Sequence, residues 1–152
     1  MSTADIAPRD ARPIPEGFEE STHGGPFSSR NGPYYLRRTG DARIIKGLYV
    51  DERHLNGLGL AHGGMLMAFA DNICATAAIA AARSAVVTVR MTTDFLAPAH
   101  EGEWLEGVAS PLRVTRSLVF IEGEGAVGGR AVFRTSAIFK IVARQARRPR
   151  GE

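Results

Sequence analysis

From Met65 to Ala82 the chain reads as an almost unbroken run of apolar and small residues, and a single charged side chain, Asp71, stands inside it. Burying an ionised acid costs free energy unless partners compensate it, so an acid in that setting is the first suspect for chemistry rather than packing. Directly upstream lies Asn56-Gly57-Leu58-Gly59-Leu60-Ala61-His62-Gly63-Gly64. Glycines at a helix start expose backbone N–H groups that no carbonyl within the helix satisfies, and the helix dipole reinforces them. Gly63 and Gly64 therefore offer an oxyanion or anion site. At a rise of about 1.5 Å per residue, Asp71 lies roughly 10 Å along the axis from Gly64. Both can act on one atom only through a partner subunit or a bent substrate.

The element that must position these groups is one long helix, expected from about Gly63 to Arg83. Gly64, Ala68, Asp71, Ala75, Ala78 and Ala82 fall along one stripe of small side chains, while Leu66, Phe69, Ile73 and Thr76 form a bulkier stripe suited to packing on a sheet. Strands are expected at Tyr34 to Arg38 and Arg43 to Val50, joined through Thr39-Gly40-Asp41. Four more are expected at Val86 to Phe95, Trp104 to Ser110, Leu112 to Gly123 and Ala131 to Val142. In the first of these four, Val87, Val89 and Met91 should share one face and Thr88, Arg90 and Thr92 the other. Pro98, Gly102, Pro111 and Gly125 to Gly129 read as the punctuation between strands. The pattern is α+β, an antiparallel sheet curled around one buried helix. Residues 1–32, rich in Pro, Gly and charge, read as a flexible lead-in, 33–143 as the domain, and 144–152 as a basic tail.

At 152 residues the chain is long enough for one domain with a real core. Its formal charge of +3, carried by seventeen Arg and two Lys, is too mild and scattered to make nucleic acid the default partner, and it suits anionic small molecules. The single cysteine, Cys74, excludes an internal disulfide, so the expected compartment is reducing and cytoplasmic. The first twenty residues lack an apolar core, so no secretory signal is visible. Asp71, Asn72 and Thr76 interrupt the apolar run and argue against a membrane span. His54 and His62 with Asp51 and Asp71 match no compact ligand spacing, so no metal is expected, and no glycine-rich nucleotide motif implies a cofactor.

The order Asn56, His62-Gly63-Gly64, Asp71 resembles the hotdog-fold acyl-CoA thioesterases of the phenylacetate-pathway type. Their pattern is an Asn six residues before a His-Gly-Gly turn and an acid in the following helix. Val87 to Ala99, ending in Phe95-Leu96-Ala97-Pro98-Ala99, looks like the next strand of that family, and the resemblance covers about residues 34–142. It implies a five- to six-stranded antiparallel sheet around the central helix, no cofactor, and hydrolysis of an acyl-CoA to free acid and CoA. Under it, Asp71 activates water or attacks the thioester carbon, Gly64 N–H polarises the carbonyl with Gly63 beside the substrate, and Asn56 orients the water or carbonyl across a dimer interface. His62 shapes the turn, Thr88 helps hold the water, and Arg116 meets the CoA phosphates, although Thr115 stands where relatives have glycine. The assembly implied is a homodimer or homotetramer. Two other readings stay open: a non-catalytic acyl-CoA or acyl-carrier binding module, and, more weakly, a dehydratase or hydratase on the same fold.

Overall fold

The computed structural model describes residues 12–22 and 24–142; the expected basic tail, 144–152, lies outside the described residues, as do 1–11. In chain order the elements are β1 (Glu19–Glu20), α1 (Pro26–Asn31), β2 (Tyr35–Arg38), β3 (Ile44–Tyr49), a 3-10 turn (Glu52–His54), α2 (Gly63–Ala82), β4 (Ala85–Phe95), β5 (Trp104–Val114), β6 (Leu118–Val127) and β7 (Arg130–Val142). The strands form one antiparallel sheet in the order β1-β2-β3-β5-β6-β7-β4. It has seven strands rather than five or six, the seventh being β1 from the lead-in.

Helix α2 is the centre of the core. By length and composition it could cross a membrane, yet Met65, Leu66, Phe69, Ala70, Ile73, Cys74 and Ala78 are buried, and the helix packs chiefly on β5, β4 and β6. Fully burying each large side chain contributes about 1.5–3 kcal/mol before entropy is counted. Such close approach needs a gap in the sheet, and Gly107 provides it: a Cβ there would stand 2.8 Å from the Phe69 ring and 3.0 Å from Ile73. Gly125 likewise makes room for the Phe133 ring, which a Cβ would meet at 2.2 Å. That glycine therefore belongs inside β6, and the turn falls at Gly128 and Gly129, both with positive φ.

Three further expectations are corrected. Pro111 does not end a strand: it sits within β5, where the pairing register shifts between Pro111 and Arg113, and a bulge accommodates a residue that cannot donate a ladder hydrogen bond. The turn comes instead at Thr115-Arg116-Ser117, where the Thr115 hydroxyl accepts from Leu118 N–H at 2.9 Å.

Strand β4 does not alternate regularly. Its pairing with β7 shifts between Thr88 and Arg90, with Thr88 opposite Phe139 and Met91, Thr93 and Phe95 opposite Ala137, Thr135 and Phe133. Phe139, Ala137, Thr135 and Phe133 are all buried on the helix side, so Thr88, Met91, Thr93 and Phe95 share that side, and Val89 is the extra residue.

The lead-in is built onto the domain from Arg12 onward. Phe18 packs edge-on against Trp104 with ring centroids 5.1 Å apart, and the Arg37 guanidinium lies 4.9 Å over the Phe18 ring. Arg12 pairs with Asp51 at 2.9 Å, and the Tyr49 hydroxyl donates to Pro13 O at 2.8 Å. Composition alone misses this because the apolar surface that Phe18 covers is contributed by Trp104, far along the chain.

Candidate active site

The loop ahead of α2 is held from both sides. Buried His54 accepts from Asp51 N–H through Nδ1 at 3.0 Å, and its Nε2 meets Asn31 O at 2.8 Å. Only the neutral ring with the proton on Nε2 satisfies both bonds. Asn56 then ties the loop into a turn: its Oδ1 accepts from Leu58 N–H at 2.8 Å and Leu60 N–H at 3.2 Å. With Oδ1 so used, the Asn56 amide NH2 is the part of the side chain left to face a ligand. The sequence readings of Asn56 as a turn residue and as a site residue are thus compatible, one for each end of the amide.

His62 caps the helix. Its backbone is extended (φ −66°, ψ 134°) and its Nδ1 accepts from Gly64 N–H at 2.8 Å, the short-range capping that an Asp or Ser usually supplies. The bond commits the Gly64 donor to the His62 ring. Gly63 N–H, at the first helical position, has no acceptor among the described residues. Of the two expected donors, the open one is therefore that of Gly63.

Eight residues further on, Asp71 leaves the helix on its half-exposed flank, between half-buried Ala68 and Ala75 on the expected small stripe. It is not sealed in the core: the exposed Thr88 hydroxyl on β4 reaches across the seam and donates to Asp71 Oδ1 at 2.6 Å. Two residues seventeen apart, each expected from the sequence, are thus brought together. The carboxylate is also felt inside, where burial first and the Asp71 charge second push the Cys74 thiol up to about 12.

At the other end of β4 the Phe95 ring stands over the helix start. Its Cε2 and Cζ lie 3.5 Å from where a Gly63 Cβ would be, and it remains 52% exposed. Sequence reasoning used Phe95 only as part of a strand pattern; the β4 bulge that turns it toward α2 leaves no mark in residue types. Arg116 is exposed at the tip of the β5–β6 turn, and among the described residues no hydrogen bond or ion pair joins it to Asp71 or to the helix start. A cleft of about 530 Å³ lined by Thr92, Ser110, Glu122 and Arg134 includes none of Asp71, Thr88 or Gly63.

Within one chain the Gly63 and Asp71 backbones are about 12 Å apart, from eight residues of helical rise. The arrangement holds a carboxylate at one place and an open backbone N–H at another, groups chemically able to assist acyl transfer to water if both are aimed at one carbonyl.

Residues 58–142 match the thioesterase superfamily model. PA0474 of Pseudomonas aeruginosa, a protein of esterase designation, is 30% identical over 131 residues, covering 84% of this chain and 97% of that protein. Human acyl-coenzyme A thioesterase 13 is 31% identical over 90 residues, 59% of this chain and 64% of that protein. Among solved structures, a mutant of the phenylacetic acid degradation protein PaaI from Thermus thermophilus shares the fold with a TM-score of 0.68 at 24% identity, over 77% of this chain and 99% of that one. The matched segment runs through α2 and β4 to β7, carrying the His62 cap, Asp71 and Thr88 with it, and the chain accordingly belongs to the thioesterase superfamily of hotdog fold, the enzymes of thioester hydrolysis.

Proposed function

We propose that this chain hydrolyses an acyl-CoA to free carboxylic acid and CoA in a cytoplasmic compartment, at a site shared by two copies. One protomer supplies Asp71 and Thr88; the other supplies Gly63, Gly64, His62 and Asn56. The observation that carries the reading is the Thr88–Asp71 hydrogen bond on the open flank of α2.

Thr88 engages one carboxylate oxygen, and the other, with no hydrogen bond among the described residues, takes a proton from water. Water attacks the thioester carbon as Asp71 accepts its proton, and the carbonyl oxygen becomes an oxyanion held by Gly63 N–H. Collapse of that intermediate breaks the C–S bond, and the CoA thiolate recovers the proton from Asp71. Direct attack by Asp71, giving an anhydride that water then opens, uses the same atoms. The Gly64 donor serves indirectly: by engaging His62 Nδ1 it locks the turn that presents Gly63. The Asn56 amide NH2 orients the water or the carbonyl, and Arg116 meets the CoA phosphates.

The second copy is supported by distance and by an open edge. Gly63 and Asp71 of one chain cannot touch the same carbonyl, and β4, eleven residues long, ends the sheet with its outer edge unpaired among the described residues. Val87 and Val89 on it are 49% and 58% exposed, a surface that soluble proteins normally cover. Pairing of two β4 edges gives a homodimer, and a further pairing of dimers gives a homotetramer.

A thiol-release assay over short, long and aromatic acyl-CoAs, run with wild type and Asp71→Asn, tests this. Wild type should turn over, and Asp71→Asn should lose about 10²-fold or more in kcat with acyl-CoA binding retained, the usual scale for a lost general base. Full activity in Asp71→Asn overturns the reading. Ligand-dependent stabilisation without turnover of any acyl-CoA would make the protein a binding module instead.

A further inference from the structure

His54 makes more bonds than filling its place requires. It closes the 3-10 turn Glu52–His54 and is 2% exposed, a position that an apolar side chain would fill with no buried ring nitrogens to satisfy. Instead its groups reach three segments. The ring accepts from Asp51 N–H through Nδ1 at 3.0 Å, which fixes the turn, and Nε2 donates to Asn31 O at 2.8 Å, which ties the turn to the end of α1. The His54 carbonyl accepts from His62 N–H at 2.7 Å. His62 is the cap whose own ring engages Gly64 N–H, so the donor left open is that of Gly63. The neighbouring tie, Ala61 N–H to Ala99 O at 2.8 Å, runs between backbones only. The side chain that sets the anchor of the His62 backbone is therefore that of His54.

We infer that His54 is a positioning residue for the reaction: its ring, bonded to Asp51 N–H and Asn31 O, orients the His54 carbonyl that anchors His62 and so aims Gly63 N–H at the substrate carbonyl. The inference rests on the proposed hydrolysis and deepens it by adding a residue that touches neither substrate nor reacting atoms. A backbone donor stabilises an oxyanion only from hydrogen-bond distance and along the right direction, so a small shift of the cap weakens it where charge develops. The loss therefore belongs to kcat rather than to substrate binding. Of the two ring bonds, the one to Asp51 N–H matters more for this purpose. Asp51 and His54 stand three residues apart in one turn, whereas Asn31 reaches that turn from outside.

The test compares wild type, His54→Leu, His54→Asn and Asp71→Asn by thiol release from hexanoyl- and benzoyl-CoA, well below the lowest thermal midpoint, and by hydrogen exchange at the His62 amide. His54→Leu keeps the bulk and loses both ring bonds, while His54→Asn puts Oδ1 where Nδ1 stood and keeps the acceptor for Asp51 N–H. In His54→Leu kcat should fall about 10²-fold, the scale of a misplacement of about 1 Å, with KM within about twofold of wild type. His54→Asn should recover most of that rate. The His62 amide should exchange faster in His54→Leu and return toward wild type in His54→Asn, while amides inside α2 stay protected. Should His54→Leu fail to fold, His54→Gln, which keeps the donor to Asn31 O and loses the acceptor, takes its place with the same expectations. Unchanged kcat or unchanged His62 exchange overturns the inference. So does His54→Asn no more active than His54→Leu, or a rate that follows the thermal midpoint whichever bond is kept, since His54 then serves stability only. The proposed hydrolysis fails separately, by full activity in Asp71→Asn, and His62 exchange still judges His54; an inactive Asp71→Asn with unchanged kcat in His54→Leu removes the His54 assignment alone.

Discussion

The Thr88 hydroxyl donates a 2.6 Å hydrogen bond to Asp71 Oδ1 across the seam between β4 and α2. The bond is charge-assisted and holds one oxygen while the other stays available. Thr88→Val keeps the shape and removes the donor, and it should lower kcat about tenfold with little change in KM, on the scale of one hydrogen bond to a charged group at an accessible site. Thr88→Ser restores the donor and should recover most of the rate. Steady-state kinetics of the two variants check this; equal activity in Thr88→Val and wild type would reduce Thr88 to a strand former.

Much of this seam was legible in residue types. Glycines before it and an apolar, small-residue run bounded α2 to within one residue of the observed Gly63–Ala82, and the lone acid in that run marked Asp71. What stayed hidden depends on choices made by side chains and distant partners. Two adjacent glycines present two donors, but which one is open depends on the His62 ring turning back to Gly64 N–H. The pattern Val87-Thr88-Val89-Arg90-Met91 reads as clean alternation, and only the pairing of β4 with β7 reveals the extra residue. Pro111 signals a break wherever it occurs, yet a bulge absorbs it within β5. Phe18 lies in the segment read as a flexible lead-in, and its cover, Trp104, comes from a strand far along the chain.

The open Gly63 donor can be deleted without disturbing its helix. Proline is well tolerated at the first helical position, where its missing N–H has no helical acceptor to lose. The preceding residue, His62, already has the extended backbone (ψ 134°) that proline requires before it. Gly63→Pro should therefore keep its circular dichroism and thermal midpoint close to wild type while losing about 10²–10³-fold in kcat, the scale for removing one oxyanion donor. Gly63→Ala retains the N–H, and its Cβ meets Phe95 only at ordinary contact distance, so it should keep far more of the rate. Comparable rates in the proline and alanine variants would show that the donor lies elsewhere.

Cys74 is fully buried, and burial followed by the Asp71 charge pushes its thiol up to about 12 from an ordinary value of 9.0. The folded protein should resist iodoacetamide at pH 8 and label only as it unfolds. The linkage has a definite sign. Below about pH 9 the thiol is protonated in both states and stability is unaffected. Between about 9 and about 12 the unfolded chain gives up its proton first, so stability falls as pH rises. Denaturant midpoints at about pH 8 and about pH 10.5, on either side of the lower limit of that window, should therefore drop more in wild type than in Cys74→Ala. Parallel drops would mean that other groups govern alkaline stability.

Whether the acid and the donor meet across two copies can be read from two variants that are each inactive. Co-expressed, Asp71→Asn and Gly63→Pro chains should assort into homodimers and mixed dimers. In a shared site, the mixed dimer joins the intact Asp71 of the Gly63→Pro chain to the intact Gly63 of the Asp71→Asn chain, giving one working site and one doubly damaged site. With random assortment of a two-fold symmetric dimer, half the dimers are mixed and half their sites work, so about a quarter of wild-type activity should return. If each site drew both groups from a single chain, every site would carry a lesion and no activity would return. Purifying the mixed dimer by two different affinity tags and assaying thiol release separates these outcomes. If two β4 edges pair as proposed, charging that edge with Val87→Lys and Val89→Lys should weaken the dimer and reduce this recovered activity in step with it; recovery unaffected by the charges would place the interface elsewhere.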